Sequence, residues 1–116
     1  MKHFKLNDYI LNPDKKIAKR MIYKDHQVIA FILNIATGAA LPNHTHFDCT
    51  VLVQVIQGKA TVNADDKSVT VETNDLIQLD GPENMSIQNT GDDTLILYVT
   101  ISPAPPSEKY ALDVDF

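Results

Sequence analysis

The chain predicts an all-β domain, a sandwich or closed barrel, from three features of its sequence. Short stretches of alternating apolar and polar residues recur along it, and glycine, asparagine, aspartate and proline fall between them at regular intervals. No stretch carries the apolar period of an amphipathic helix. Residues 1–116 read as one domain: an arm at 1–16, a barrel at 17–101, and a proline-rich connector and tail at 102–116.

Residues 1–16 show no clear period, yet Phe4, Leu6, Tyr9, Ile10 and Leu11 are too apolar to stand in water. They are expected to lie as an irregular arm across the domain or a partner subunit. Residues 17–24 alternate weakly and end at the turn signal Asp25-His26. Residues 27–36, rich in β-branched and aromatic side chains, read as a buried strand broken by Thr37-Gly38. Leu41-Pro42-Asn43 continues in extended form, because a proline disfavours helix for the residue before it. Residues 51–56 place Val51, Val53 and Val55 on one face, and Gln57-Gly58 closes the strand.

Beyond Gly58, Ala60 and Val62 face one way while Lys59, Thr61 and Asn63 face the other. After Asp65-Asp66-Lys67, Val69 and Val71 repeat the pattern, so 59–72 reads as a hairpin with one wet face. Asn74 suits a left-handed turn position. Residues 76–79, 85–88 and 94–101 are three further strands, stopped in turn by Asp80-Gly81-Pro82, Asn89-Thr90-Gly91-Asp92 and the connector. Pro103, Pro105 and Pro106 each lack a backbone donor, so 102–107 cannot continue a central strand. In the tail, Tyr110, Leu112, Val114 and Phe116 alternate with polar or small residues and can add an edge strand to this barrel or to a neighbour's.

Composition narrows the function classes. Hydrophobic residues make up 44% and charged residues 22% of the chain, the balance of a globular domain. The longest apolar run, 28–33, is far too short to span a bilayer, which argues against a membrane partner. The N-terminal residues lack a signal peptide's apolar core, and the single cysteine, Cys49, fits a reducing compartment, so a cytoplasmic protein is expected. A formal net charge of −5, with lysines scattered apart from the short cluster at 15–20, argues against nucleic acid as the partner.

The chemistry concentrates in 38–58. His44 and His46 are two residues apart in an extended segment, so both side chains project to one face, roughly 6 to 7 Å apart at Cα. Two imidazoles can then converge on one ion or one ligand. This segment resembles the first motif of the cupin superfamily, a glycine, a His-x-His pair, a glutamate and a closing glycine at fixed intervals. Gly38, His44, His46 and Gly58 fall in register with it, and Val51 stands at the glutamate position. The superfamily's second motif, Gly, Pro, Gly, His and Asn, falls on Asn74, Asp80, Pro82, Met85 and Asn89. Only Asn89 matches, and Met85 stands where the third histidine belongs.

The resemblance implies a double-stranded β-helix, the jelly-roll barrel of small cupins, with a homodimer as its usual assembly. It also implies a metal site, here with two of the four ligands replaced. His44 and His46 would be completed by the Met85 thioether, the Cys49 thiolate, Asp48 or water, forming a weakly held site for Zn, Cu, Ni, Fe or Mn. Alternatively no metal is held, Met85 fills the space of the absent histidine, and Cys49 is an inert small hydrophobe. Val51, Val53 and Tyr98 are expected to line the cavity. Tyr23, Phe31 and Phe47 read as core or cavity wall, Gln54 points away by parity, and His3 and His26 read as surface residues.

Three function classes follow. The first is a small-molecule binder with its ligand at His44 and His46. The second is a cupin enzyme, either a metal-dependent dioxygenase, isomerase or lyase acting on a small organic acid, or a metal-free catalyst resembling sugar isomerases with an imidazole as base. The third is an interaction domain built on the apolar arm and tail. No Ser-His-Asp order, phosphate-cradling glycine loop or zinc-finger spacing is present.

Overall fold

A computed structural model of the chain describes residues 1–46 and 48–116. Its strands are β1 (Ile17–Lys24), β2 (Ile29–Ile35), β3 (Ala40–His44), β4 (Thr50–Gln57), β5 (Lys59–Ala64), β6 (Lys67–Glu72), β7 (Leu76–Asp80), β8 (Met85–Asn89), β9 (Leu95–Ser102) and β10 (Val114–Asp115). They form two antiparallel sheets, one in the order β10-β1-β2-β9-β4-β7 and the other β3-β8-β5-β6. The only helical segments among the described residues are 3₁₀ turns at Leu6–Tyr9 and Glu108–Ala111.

The alternation in the sequence decides which side chains meet between the sheets. Val51, Val53 and Val55 of β4 lie opposite Ile101, Val99 and Leu97 of β9, all 3% exposed or less. Phe31, Leu33 and Ile35 of β2 share this core, and Ala60, Val62 and Ile87 reach it from the second sheet. Each fully enclosed Val, Leu or Ile side chain contributes roughly 1.5–3 kcal/mol relative to exposure, so this inner layer dominates the fold's stability.

Turn residues set the register. Asp65 and Asn74 adopt left-handed backbone conformations (φ 53° and 75°), which short polar side chains tolerate best. Gly58 combines φ 110° with a close approach, since a Cβ there would lie 3.3 Å from the Leu95 backbone. The β5–β6 hairpin and the strands on either side therefore fall where their alternation places them.

All seven residues of β2 are buried, which one barrel face alone cannot explain. The N-terminal arm covers the other face of its own domain. Asn34, wholly enclosed, donates from Nδ2 to the carbonyls of Tyr9 (3.1 Å) and Ala18 (3.2 Å), and its Oδ1 accepts from the Leu11 amide (3.1 Å). At the other terminus the tail joins this barrel's edge. Val114 and Asp115 pair with Lys19 and Ala18, the Phe116 carbonyl accepts from the Ile17 amide at 2.7 Å, and Arg20 forms an ion pair with Asp115 at 2.8 Å. Leu112 leaves the alternation expected of the tail and is 54% exposed.

Candidate ligand cavity

Between the sheets lies a cavity of about 190 Å³, walled by apolar side chains from both layers and closed on one side by Tyr110, Val114 and Phe116 of the tail. Its polar lining groups are Lys19, His44, His46 and Tyr110.

The histidines reach the cavity through an irregularity in β3. Leu41 pairs with Ile87 and His44 with Met85, so β3 spends one residue more than β8 over this interval, a bulge that accommodates Pro42. The Pro42 carbonyl lies 2.8 Å from His44 Nδ1. A carbonyl can only accept, so Nδ1 is the donor in this contact.

The regular strand ends at His44, and His46 is positioned by the loop that follows. Its amide donates to the Gly81 carbonyl at 2.8 Å, and its carbonyl accepts from the Cys49 amide at 3.0 Å. The close approach requires a glycine. A Cβ at Gly81 would collide with the His46 carbonyl and come within 2.6 Å and 2.7 Å of the Cys49 backbone O and N. The half-buried His46 ring has its pKa lowered from 6.5 to about 4, first by desolvation and then by positive charge at His44 and Lys19. It is neutral at any pH near 7.

Lys19 joins the two histidines on this wall, although no motif in the sequence marks it. It follows Ile17 and precedes Met21 on the same face of β1, so period two alone points its side chain inward. Its Nζ donates to the Tyr110 carbonyl at 2.7 Å and sits 4.6 Å from the centroid of the Phe31 ring. Burial pushes its pKa down, and the Asp113 carboxylate acts against that shift.

Other expected site residues fall in different places. Val51 and Val53 line the cavity with Met85, but Tyr98 does not. Tyr98 lies opposite Ile32 and Gln54, so it belongs to the outward face, whereas Leu97 and Val99 on either side of it point in. Cys49 packs in the hydrophobic cluster and is absent from the cavity wall. Its thiol pKa is raised by desolvation and by Asp48, away from the thiolate that a metal requires. Asp48 is exposed, as are His3 and His26. Phe31 lines the cavity. Tyr23 instead points its hydroxyl to Asp25 Oδ2 at 2.7 Å. Phe47, expected as core or cavity wall, lies outside the described residues. Asn89 is structural: it donates to the Ile35 and Asp93 carbonyls (3.0 and 2.9 Å) and accepts from the Gly91 amide (3.0 Å).

A cupin metal fits this wall poorly. Val51 and Met85, 1% and 2% exposed, occupy the positions that would supply the carboxylate and the third imidazole. No cluster of three His, Cys, Asp or Glu occurs among the described residues. Fe²⁺, Mn²⁺ or Ni²⁺ would find two nitrogens and a thioether, without the carboxylate and third imidazole that would retain them.

No family model and no curated protein matches the sequence. Solved structures do match in shape. TT1209 from Thermus thermophilus superposes with a TM-score of 0.84 at 15% identity, over 90% of this chain and 100% of that one. An uncharacterized conserved protein with a double-stranded β-helix domain from Klebsiella pneumoniae gives 0.83 at 13% identity, over 98% and 96%. The cupin domain of Cnp3 from Schizosaccharomyces pombe gives 0.80 at 17% identity, over 93% and 78%. These likenesses establish the fold, a double-stranded β-helix of two antiparallel sheets. The chain thus has the small cupin-barrel fold, the architecture that the resemblance of the 38–58 segment implies. Among the described residues no helix is long and apolar enough to cross a membrane.

Proposed function

We propose that this cupin barrel binds a small organic molecule in its internal cavity, against His44 and His46, without a resident divalent metal. The observation that carries the reading is the composition of one wall. The two histidines face a cavity from which Val51 and Met85 have removed the remaining metal donors, while Phe31, Leu33, Val53 and Val99 supply apolar contact. At about 190 Å³ the space exceeds the ~150 Å³ that admits a benzene ring in an apolar protein cavity. An enzymatic reading needs a second positioned acid or base, and Lys19 and Tyr110 are the other titratable groups on the described wall.

The test is elemental analysis of untagged protein prepared without chelator, alongside a thermal-shift screen of small organic ligands on wild type and the His44→Ala/His46→Ala double variant. Substoichiometric metal with ligand-dependent stabilisation that the double variant loses is the expected result. Stoichiometric metal in the wild type, lost in the variant, would replace this reading with a second one. In that reading His44, His46 and Met85 hold a soft ion such as Cu(I). The direct cross-strand pairing of His44 with Met85 favours it.

We also infer a homodimer, in a cytoplasmic protein. Leu52 and Leu76, 39% and 65% exposed, lie diagonally on the outward face of β4 and the edge strand β7, which gives a physical reason to associate. Light scattering of wild type and Leu52→Lys/Leu76→Lys reads it out: a wild-type monomer sinks the inference.

A further inference from the structure

The chain carries a formal net charge of −5, yet no Asp or Glu side chain lines its cavity among the described residues. The polar groups there are two imidazoles, a phenol and one ammonium. Lys19 takes a position between Ile17 and Met21 that the fold would otherwise fill with an apolar side chain. One of its three N–H groups is used on the Tyr110 carbonyl, and the Phe31 ring lies beneath it. The opposing charge that acts on it is Asp113, whose Oδ1 already accepts from the Met21 amide at 2.7 Å. The ammonium is therefore partly desolvated and only partly compensated, with two further N–H donors on a side chain that lines the cavity.

Resting on the pocket reading above, we propose that the ligand is an apolar monocarboxylate, a one-ring aromatic or roughly six- to eight-carbon acid, whose carboxylate is held by Lys19 Nζ and the His46 ring N–H. Its hydrocarbon body lies against Phe31, Val53 and Val99. Tyr110, Val114 and Phe116 form the strap over it, and the pairing of Val114 with Lys19 ties the strap to the anchoring residue. The carboxylate supplies the charge that Lys19 lacks. The absence of hydroxyl and amide side chains from the described wall, apart from the Tyr110 phenol, disfavours a sugar, whose hydroxyls would be left unpaired.

The test is calorimetric titration with benzoate, phenylacetate and hexanoate, each beside its neutral primary amide, on wild type, Lys19→Met, Lys19→Arg and Val53→Phe. At least one acid is expected to bind the wild type about tenfold or more tightly than its amide, the size of one charge-assisted contact. Lys19→Met should abolish that preference while sparing the amide, and Lys19→Arg should restore most of it. Equal binding of acid and amide to the wild type, with both lost in Val53→Phe, overturns the carboxylate assignment and leaves the pocket reading standing. No binding of either to the wild type removes both. Should Lys19→Met fail to fold, as judged by circular dichroism, the acid-to-amide ratio of the wild type and its retention in Lys19→Arg decide the matter.

Discussion

The His46 ring meets the His44 ring edge-on, with centroids 4.5 Å apart and planes 74° from parallel. The two imidazoles are held by different means. His44 is oriented by its own strand through the Pro42 carbonyl. His46 is oriented by a loop clamped to Gly81. One ring thus depends on the β3 bulge, the other on the turn after β7, and they can be perturbed separately.

The depressed pKa of His46 makes stability depend on pH. In the unfolded chain the ring titrates near 6.5 and in the fold near 4, so between these values the unfolded state holds more protons. The contribution is fully present above 6.5 and is lost as pH falls toward 4. Because the ring is half in water, its worth is discounted to about 1 kcal/mol. Urea unfolding of wild type and His46→Gln across this window should show the variant losing less stability on acidification. Parallel losses would mean that the ring is not desolvated.

Gly81→Ala is expected to cost about 2–3 kcal/mol, because the added methyl meets the backbone of residues 46 and 49 rather than a side chain that can swing aside. The loop must move, and His46 moves with it. Thermal denaturation measures the first effect, and the histidine ring resonances in NMR measure the second. An alanine variant of wild-type stability with unshifted His46 signals would refute the clamp.

Asn34→Ala removes three hydrogen bonds, two of which pin the arm to β2, and leaves the Leu11 amide and the Tyr9 and Ala18 carbonyls without that partner. A loss of about 2–4 kcal/mol is expected, together with faster proteolysis within residues 1–16. Protease digestion under native conditions reads the arm directly. Unchanged cleavage would show that apolar contact alone holds it.

Restoring the missing donors tests the register of the barrel. In Val51→Glu/Met85→His, a carboxylate and a third imidazole enter the cavity from β4 and β8, beside His44 and His46. The apo variant should be destabilised by its buried carboxylate, and Ni²⁺ or Zn²⁺ should raise its melting temperature by several degrees, as a ligand confined to the native state must. The wild type should respond little. Equal responses of the two proteins would contradict the convergence of these four positions.

Much of the fold was legible in the sequence, for a local reason. Alternation in 51–56 and 94–101 fixes which side chains of β4 and β9 point inward, and Asn74 and Gly58 mark turns that their neighbours cannot make. The histidine pair was visible because two residues of extended chain suffice to put both rings on one face. Tyr98 was misplaced by a single step of parity. Leu97 and Val99, which point inward on either side of it, carried the correcting signal.

What the sequence alone determined, then, is the strand periodicity, the turns and the spacing of His44 and His46, all set within a few residues, whereas the orientation of His46 depends on the distant Gly81. Only the tertiary structure decided that Lys19 shares their cavity, that Tyr110 and Phe116 close it, and that Cys49 stays off its wall. Lys19 and Tyr110 stand 91 positions apart and meet because β10 pairs with β1. Period two says which face of a strand is inward, but which distant segment comes to cover that face depends on the pairing order of whole strands. No local pattern carries that order.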